Sequence, residues 1–456
     1  MQRVSASGKH SHRAKTEKAP KTRSRPANWH FRWPLIGLLA VVAGVFSYTF
    51  VPTSGTMPVA DRLTRGVFAA PALPSLLGQG MTGSTYYEPP APVSTATAKA
   101  PATKHKASPK HSAGITPPRS GPLFVDAAGL GIYDGQSSPS GIETAASWLG
   151  SSNSIKYAQD FIDATDFSHI SNPWQLSNWA GSPFTMVWGV PMVPCGAPST
   201  QCTTNVADYD EVANGGADGY YKTLAQNLIS AGFGSSYIRI GWEFNADWMG
   251  WGICDEQGDG LSSWAGDFVP AFRNIVTSMR SVSGGNFKFI WNPIDSTNSS
   301  CTGANLENFY PGDSYVDNVA LDVYDGIGQT LSDSARWTAM LNGVNGGGWT
   351  AEKPASINGQ SFEGYGLNWL EAFGKAHDKQ VGLPEWGLDM GGDNGGGGDD
   401  TYFMTQMANW IKAYATGPAI FWNSGDGTLP LDIPNYTSGG TPDATAAFRA
   451  AFSTGV

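Results

Sequence analysis

The sequence lacks the histidine and cysteine clusters that commonly bind a transition metal. Its seven histidines fall at His10, His12, His30, His105, His111, His169 and His377, away from the ends of the strand-like runs described below, so no imidazole cluster is expected there. Its four cysteines, Cys195, Cys202, Cys254 and Cys301, show neither CxxC nor Cys/His spacing, which excludes the common zinc and dithiol motifs. No glycine-rich phosphate loop follows the first strand-like run, which argues against a nucleotide-binding sheet. No internal repeat is present, which argues against a solenoid. Positive charge is scarce over most of the chain. The total is −10 and residues 1–120 carry a formal +13, so residues 121–456 hold about −23. A nucleic acid would be repelled by that domain, whereas a neutral polysaccharide would not. No cofactor is expected.

The amino-terminal part divides by composition into three segments. Residues 1–32 form a basic tail. Residues 33–51 carry no charge and are long enough to cross a bilayer as a helix, at roughly 1.5 Å per residue against a core of about 30 Å. The basic flank would remain in the cytoplasm, placing the rest of the chain outside. A cleaved signal peptide, and hence a secreted protein, is the alternative. Residues 52–120 read as a Pro/Ala/Thr/Lys-rich linker with little to bury, and as a coil its mean span is on the order of 45 Å. If the main domain lies outside the cytosol, Cys195–Cys202 and Cys254–Cys301 are the simplest disulfides; four reduced thiols are the alternative.

From residue 121 onward, strand-like runs alternate with amphipathic stretches. Strands are expected at 130–134, 156–161, 184–191, 237–244, 287–293, 316–325, 381–387 and 419–424. Helices are expected at 141–149, 217–231, 263–282, 331–342, 365–377 and 401–415. Eight strands with helices between them, over some 330 residues, predict an α/β fold, a (β/α)8 TIM barrel. The segments 193–216, 252–262 and 343–364 read as long loops, and the glycine-rich run 391–398 as a further loop near the site.

Chemistry in such a barrel sits at the carboxyl ends of the strands. Glu243 and Glu385 lie there, past the fourth and seventh runs, among aromatic residues. Two carboxyls about 5 Å apart are what retaining glycoside hydrolysis needs. Strand alternation predicts that Arg239 and Glu243 share one face of the fourth strand, and that Asp322 and Tyr324 share one face of the sixth. An Arg and carboxylates facing a lumen are costly unless paired or used. Each glutamate alone could be structural, Glu243 paired with Arg239 and Glu385 a surface carboxylate.

These residues resemble glycoside hydrolase family 26. The carriers are Arg239-Ile-Gly-Trp242-Glu243-Phe244-Asn245-Ala-Asp-Trp248; Tyr310-Pro-Gly-Asp313-Ser-Tyr-Val-Asp317 followed by Leu321-Asp322-Val323-Tyr324; and Glu385-Trp386-Gly387. The resemblance covers about 121–450 and implies a retaining β-glycanase. Glu243 would be the acid/base, Glu385 the nucleophile, and Tyr324 would orient Glu385. Arg239 and Asn245 would support the acid/base. Trp422 would form a sugar platform, with Trp248 and Trp251 lining the groove. Trp242, Asp322 and Trp386 complete the expected substrate-facing set. The sequence departs from the family at Trp242, where members carry His. The resemblance implies β-1,4-mannan as substrate, with mixed-linkage glucan or xylan as alternatives. A non-catalytic glycan-binding protein with the same groove is the competing class.

Overall fold

The computed structural model describes residues 129–150, 155–195, 206–254, 260–297, 299, 304–327, 331–344, 354–389, 396–424, 428–433 and 440–453. The expected basic tail, apolar run and linker lie outside these residues. Among the described residues, no helix is long and apolar enough to cross a membrane.

Eight parallel strands close into a barrel: β1 (Gly129–Tyr133), β2 (Ile155–Phe161), β3 (Thr185–Val190), β4 (Tyr237–Ile240), β5 (Lys288–Trp291), β6 (Asn318–Tyr324), β7 (Gln380–Asp389) and β8 (Pro418–Trp422). Each pairs with its sequence neighbour, and β8 returns to β1 through Gly131↔Ile420 and Tyr133↔Trp422. This is the (β/α)8 barrel expected from the sequence. A short β9 (Thr428–Leu429) adds antiparallel to the end of β7.

Alternation separates two apolar layers. Tyr157, Val187, Tyr237, Ile290, Ala320 and Ile420, one from each of six strands, meet inside the barrel. Glycine makes room for these rings: a Cβ at Gly189 of β3 would come 2.4 Å from Phe161. The larger outer layer lies between strands and helices. The helices are α1 (Pro139–Leu149), α2 (Phe167–Ser171), α3 (Val206–Ala213), α4 (Asp218–Ser230), α5 (Phe268–Arg280), α6 (Asp333–Asn342), α7 (Leu367–His377), α8 (Thr401–Tyr414) and α9 (Pro442–Phe452). In α5 the buried residues Phe268, Ala271, Phe272, Ile275, Val276 and Met279 recur at helical spacing, which lays one stripe on the sheet. Asp400 starts α8 by accepting from the Phe403 N–H at 2.9 Å.

Six helices match the expected ones. Of the others, α3 falls inside a segment read as loop. It is eight residues long and buries only Tyr209 and Val212, too few to make a periodic signal. Helix α9 had such a signal, with Pro442 at its start and Ala444, Phe448 and Phe452 four residues apart and buried.

Candidate active site

Arg239 is the hub of the barrel mouth. It stands on the lumen face of β4, fully buried. Its Nη1 donates to Glu385 Oε1, its Nη2 to Asp322 Oδ2 and its Nε to Asn292 Oδ1. Asn292, just past β5, also donates from Nδ2 to Asp322 Oδ1 at 3.3 Å. Burial works against the charge on Arg239, but Asp322 and Glu385 outweigh it and raise its pKa.

Glu385 owes its inward direction to an irregularity in β7. Ala320 and Asp322 of β6 lie opposite Gly382 and Glu385, so β7 has one residue more than its partner over this step. The same shift recurs against β8. Pro384 sits in this bulge, where a missing N–H is tolerated. Had alternation simply continued from Gly382, Trp386 rather than Glu385 would face the lumen. The result is that Tyr324 OH donates to Glu385 Oε2 at 2.7 Å. Burial, followed by the charge of Glu385, pushes the Tyr324 hydroxyl well above its usual range, so it remains a donor.

Glu243 reaches the site differently. Strand β4 ends at Ile240, so Glu243 is not on the strand face shared with Arg239 as expected. The chain leaves the sheet through two left-handed residues, Gly241 (φ 50°) and Glu243 itself (φ 51°). For a glutamate that conformation costs about 1–2 kcal/mol. It is held by Glu243 N–H donating to Asn292 O at 2.8 Å. Asn245 clamps the turn to the end of β5: its Nδ2 donates to Ile294 O at 2.7 Å and its Oδ1 accepts from Ile294 N at 2.8 Å. Trp248 Nε1 donates to Glu243 Oε2 at 3.2 Å. Burial, then the nearby Glu385 charge, raise the Glu243 pKa to about 7, against the opposing pull of Arg239, Trp248 and Asp322. Burial likewise lifts Asp322 well above the carboxylate range, with Arg239 opposing.

One carboxylate oxygen each from Glu243, Asp322 and Glu385 lie within 4.8 Å of one another. Three carboxylates at this spacing could hold a cation. Here Arg239 already supplies the positive charge to two of them and Tyr324 takes the far oxygen of Glu385, which suits proton transfer and carboxylate attack better than a metal.

Aromatic rings build the opposite wall. Trp422 stacks on Tyr133 at 4.0 Å and 24°. Phe161 meets Tyr133 at 5.4 Å and Trp242 at 5.0 Å. Trp242 and Trp422 are both partly exposed at the mouth, and Trp248 is 38% exposed. Trp251 is buried instead of lining a groove. Its Nε1 donates to Trp242 O at 2.6 Å and its ring lies 4.4 Å from that of Trp242, so it braces Trp242 from behind. Trp386 lies on the far side of the sheet from the carboxylates, fully buried beside Phe421 and Phe448. Asn245 and Asp322 are also closed to a ligand, at 1% and 0% exposure. The sequence reading missed Asn292, Gln159, Phe161 and Tyr133. The signal for Asn292 was a polar residue ending the apolar run Phe289-Ile-Trp-Asn292; that for Gln159 was its place between Tyr157 and Phe161, in step with two lumen rings.

Cys195 and Cys254 are disulfide-bonded; Cys202 and Cys301 lie outside the described residues.

Burial also raises Asp160 to about 6 and Asp325 to about 7. A carboxyl whose folded pKa exceeds its unfolded value keeps a proton that the unfolded chain has already released. Stability therefore falls as pH rises from about 4 to about 7. With Glu243, the three groups predict a loss on the order of 3 kcal/mol or more across that window. Thermal melts at pH 5 and pH 8 test this: a higher Tm at pH 8 would contradict it.

Residues 125–360 match the model of Glycosyl hydrolase family 26. Endoglucanase H of Acetivibrio thermocellus is 32% identical over 133 residues, 28% of this chain, and the match spans only 14% of that protein's length. Among solved structures, the Bacillus subtilis mannanase BCman superposes with a TM-score of 0.42 at 13% identity, covering 71% of this chain and 86% of that one. A β-mannanase of Bacteroides ovatus superposes with a TM-score of 0.39 at 16% identity, covering 65% and 78%. With the family profile matching over half of the chain, from the start of the barrel to residue 360, the protein belongs to glycosyl hydrolase family 26.

Proposed function

We propose that the chain is a retaining β-glycanase acting on a neutral polysaccharide. The expected backbone is β-1,4-mannan, with mixed-linkage glucan and xylan as the alternatives. One observation carries this reading: two carboxyls in opposed surroundings, with an oxygen of one within 4.8 Å of an oxygen of the other. Glu385 accepts hydrogen bonds from the cation Arg239, from Tyr324 and from Gln159. Glu243 faces a ring N–H and has a pKa near 7. Inverting enzymes need a wider gap, roughly 6.5–9.5 Å, to admit a water between carboxyl and sugar.

In the first step Glu385 attacks the anomeric carbon, the bond to the leaving oxygen breaks, and Glu243 gives that oxygen its proton. Esterified Glu385 no longer carries charge. The influence that raised the Glu243 pKa is then weaker, so Glu243 is a better base for the incoming water. Water attacks the anomeric carbon, its proton passes to Glu243, and Glu385 leaves as carboxylate. Trp422 and Trp242 would stack against sugar faces, with Trp248 both lining the cleft and steadying Glu243. The test is reducing-sugar release by the full chain from mannan, glucomannan, lichenan, xylan and carboxymethylcellulose. Release from none of them, with retained binding to one, would replace this reading with that of a glycan-binding protein.

The chain's setting is also a proposal. Residues 33–51 would anchor it, residues 1–32 would stay in the cytoplasm, and the linker 52–120 would carry the barrel 121–456 outside, where Cys195–Cys202 and Cys254–Cys301 would form. Protease added to intact cells should then remove the barrel from a membrane-bound stub. Protection of the barrel until lysis would rule this out.

A further inference from the structure

Gln159 stands on the lumen face of β2 between Tyr157 and Phe161, with no exposed surface. Its Nε2 donates to Glu385 Oε1 at 3.4 Å, the same oxygen that Arg239 holds. Its Oε1 has no hydrogen-bond partner among the described residues. The reverse amide orientation would set a carbonyl against a carboxylate oxygen, so the donor has to face Glu385. A buried acceptor without a donor weakens a fold. An apolar side chain of similar length, such as Met, would fill the same space without that cost. A residue that lowers stability while aiming its only bonded atom at the nucleophile has the signature of function set against stability.

The three donors to Glu385 come from three directions. Arg239 reaches it from β4, Tyr324 from β6 and Gln159 from β2, across the lumen. The residue beside the acid/base, Trp242, contributes a ring that meets Phe161 and Trp251. We propose that Gln159 is a positioning residue for Glu385, holding the carboxylate from the β2 side so that the attacking oxygen keeps its line to the anomeric carbon. This rests on the glycanase reading above.

The test is Gln159→Met in the full chain, on whichever polymer the wild type hydrolyses. The expected result is a kcat lower by about 10- to 100-fold, since a small misplacement of a reacting group costs that much. Affinity for the uncleaved polymer, measured with Glu243→Gln and with Glu243→Gln/Gln159→Met, should agree within about twofold, because Gln159 does not reach the surface. The Tm should be equal or higher by about 1–2 °C, because an unsatisfied buried carbonyl has been removed. An unchanged kcat, or a lower Tm that accompanies the loss of activity, would overturn the assignment and leave Gln159 as core packing. If the wild type hydrolyses none of the polymers, the glycanase reading fails separately, and the Tm of Gln159→Met decides: a rise supports the functional origin of the buried amide and a fall overturns it.

Discussion

Glu385→Gln is expected to reduce hydrolysis of the preferred polymer by about 10⁴-fold or more, because the amide cannot form the glycosyl ester and no other group replaces it. Glu243→Gln is expected to differ in kind. On polymer it should lose about 10²- to 10⁴-fold, the usual contribution of a general acid. On an aryl glycoside whose leaving group needs no proton, the first step should remain fast and the covalent intermediate should accumulate. Glu385→Gln should be inactive on both. The pH profile adds an independent check. Glu243 must be protonated for the first step and its pKa lies near 7, so wild-type kcat/KM should fall as pH rises through about 7. With Glu243→Gln on the activated glycoside that limb should vanish. If the two variants are equally impaired on both substrates, the separate roles are wrong.

Arg239→Met is expected to be among the most destabilising single changes in the barrel. Arg239 is buried and holds Asp322 and Glu385 together. Removing one partner of a buried ion pair typically costs about 3–5 kcal/mol, since an uncompensated charge stays inside. Here two carboxylates lose the same cation, and Asn292 loses a donor. The loss should depend on pH. Protonation relieves the freed carboxylates, so the Tm deficit against wild type should be large at pH 8 and smaller at pH 5. An equal deficit at both values would mean that Arg239 serves mainly as packing beneath Phe161 and Trp242, whose rings lie 5.8 and 5.5 Å from its guanidinium. Activity should be lost at either pH, because Glu385 loses its strongest orienting contact.

Much of the architecture was legible in the chain itself. All eight barrel strands overlap the runs picked out by apolar patterning. A strand or helix of this length announces itself through periodicity, which is a local property. The face on which a side chain ends up was less secure. Asp322 and Tyr324 share the lumen face of β6 as alternation requires, and Arg239 lies on that of β4. The same rule applied to Glu243 fails, because the strand has already ended and left-handed Gly241 and Glu243 redirect the chain. Applied along β7 without interruption, it would put Trp386 inward. The bulge at Pro384 exchanges the faces, and Trp386 joins the outer apolar layer.

What the sequence determined by itself is the inventory: an acidic, aromatic-rich domain with eight strands, helices between them and two glutamates at strand ends, without a histidine or cysteine cluster. These follow from residue type and spacing along one dimension. What only the tertiary structure decided is which of those groups meet. Gln159, Arg239, Asn292, Asp322 and Glu385 come from five different strands or their ends, between 30 and 226 residues apart along the bonds that join them. Closure of the barrel brings them to one end of one lumen. There, burial and the proximity of like charges raise the Glu243 pKa to about 7, a property that no local pattern of residues carries, because it depends on what is excluded from the site as much as on what is in it.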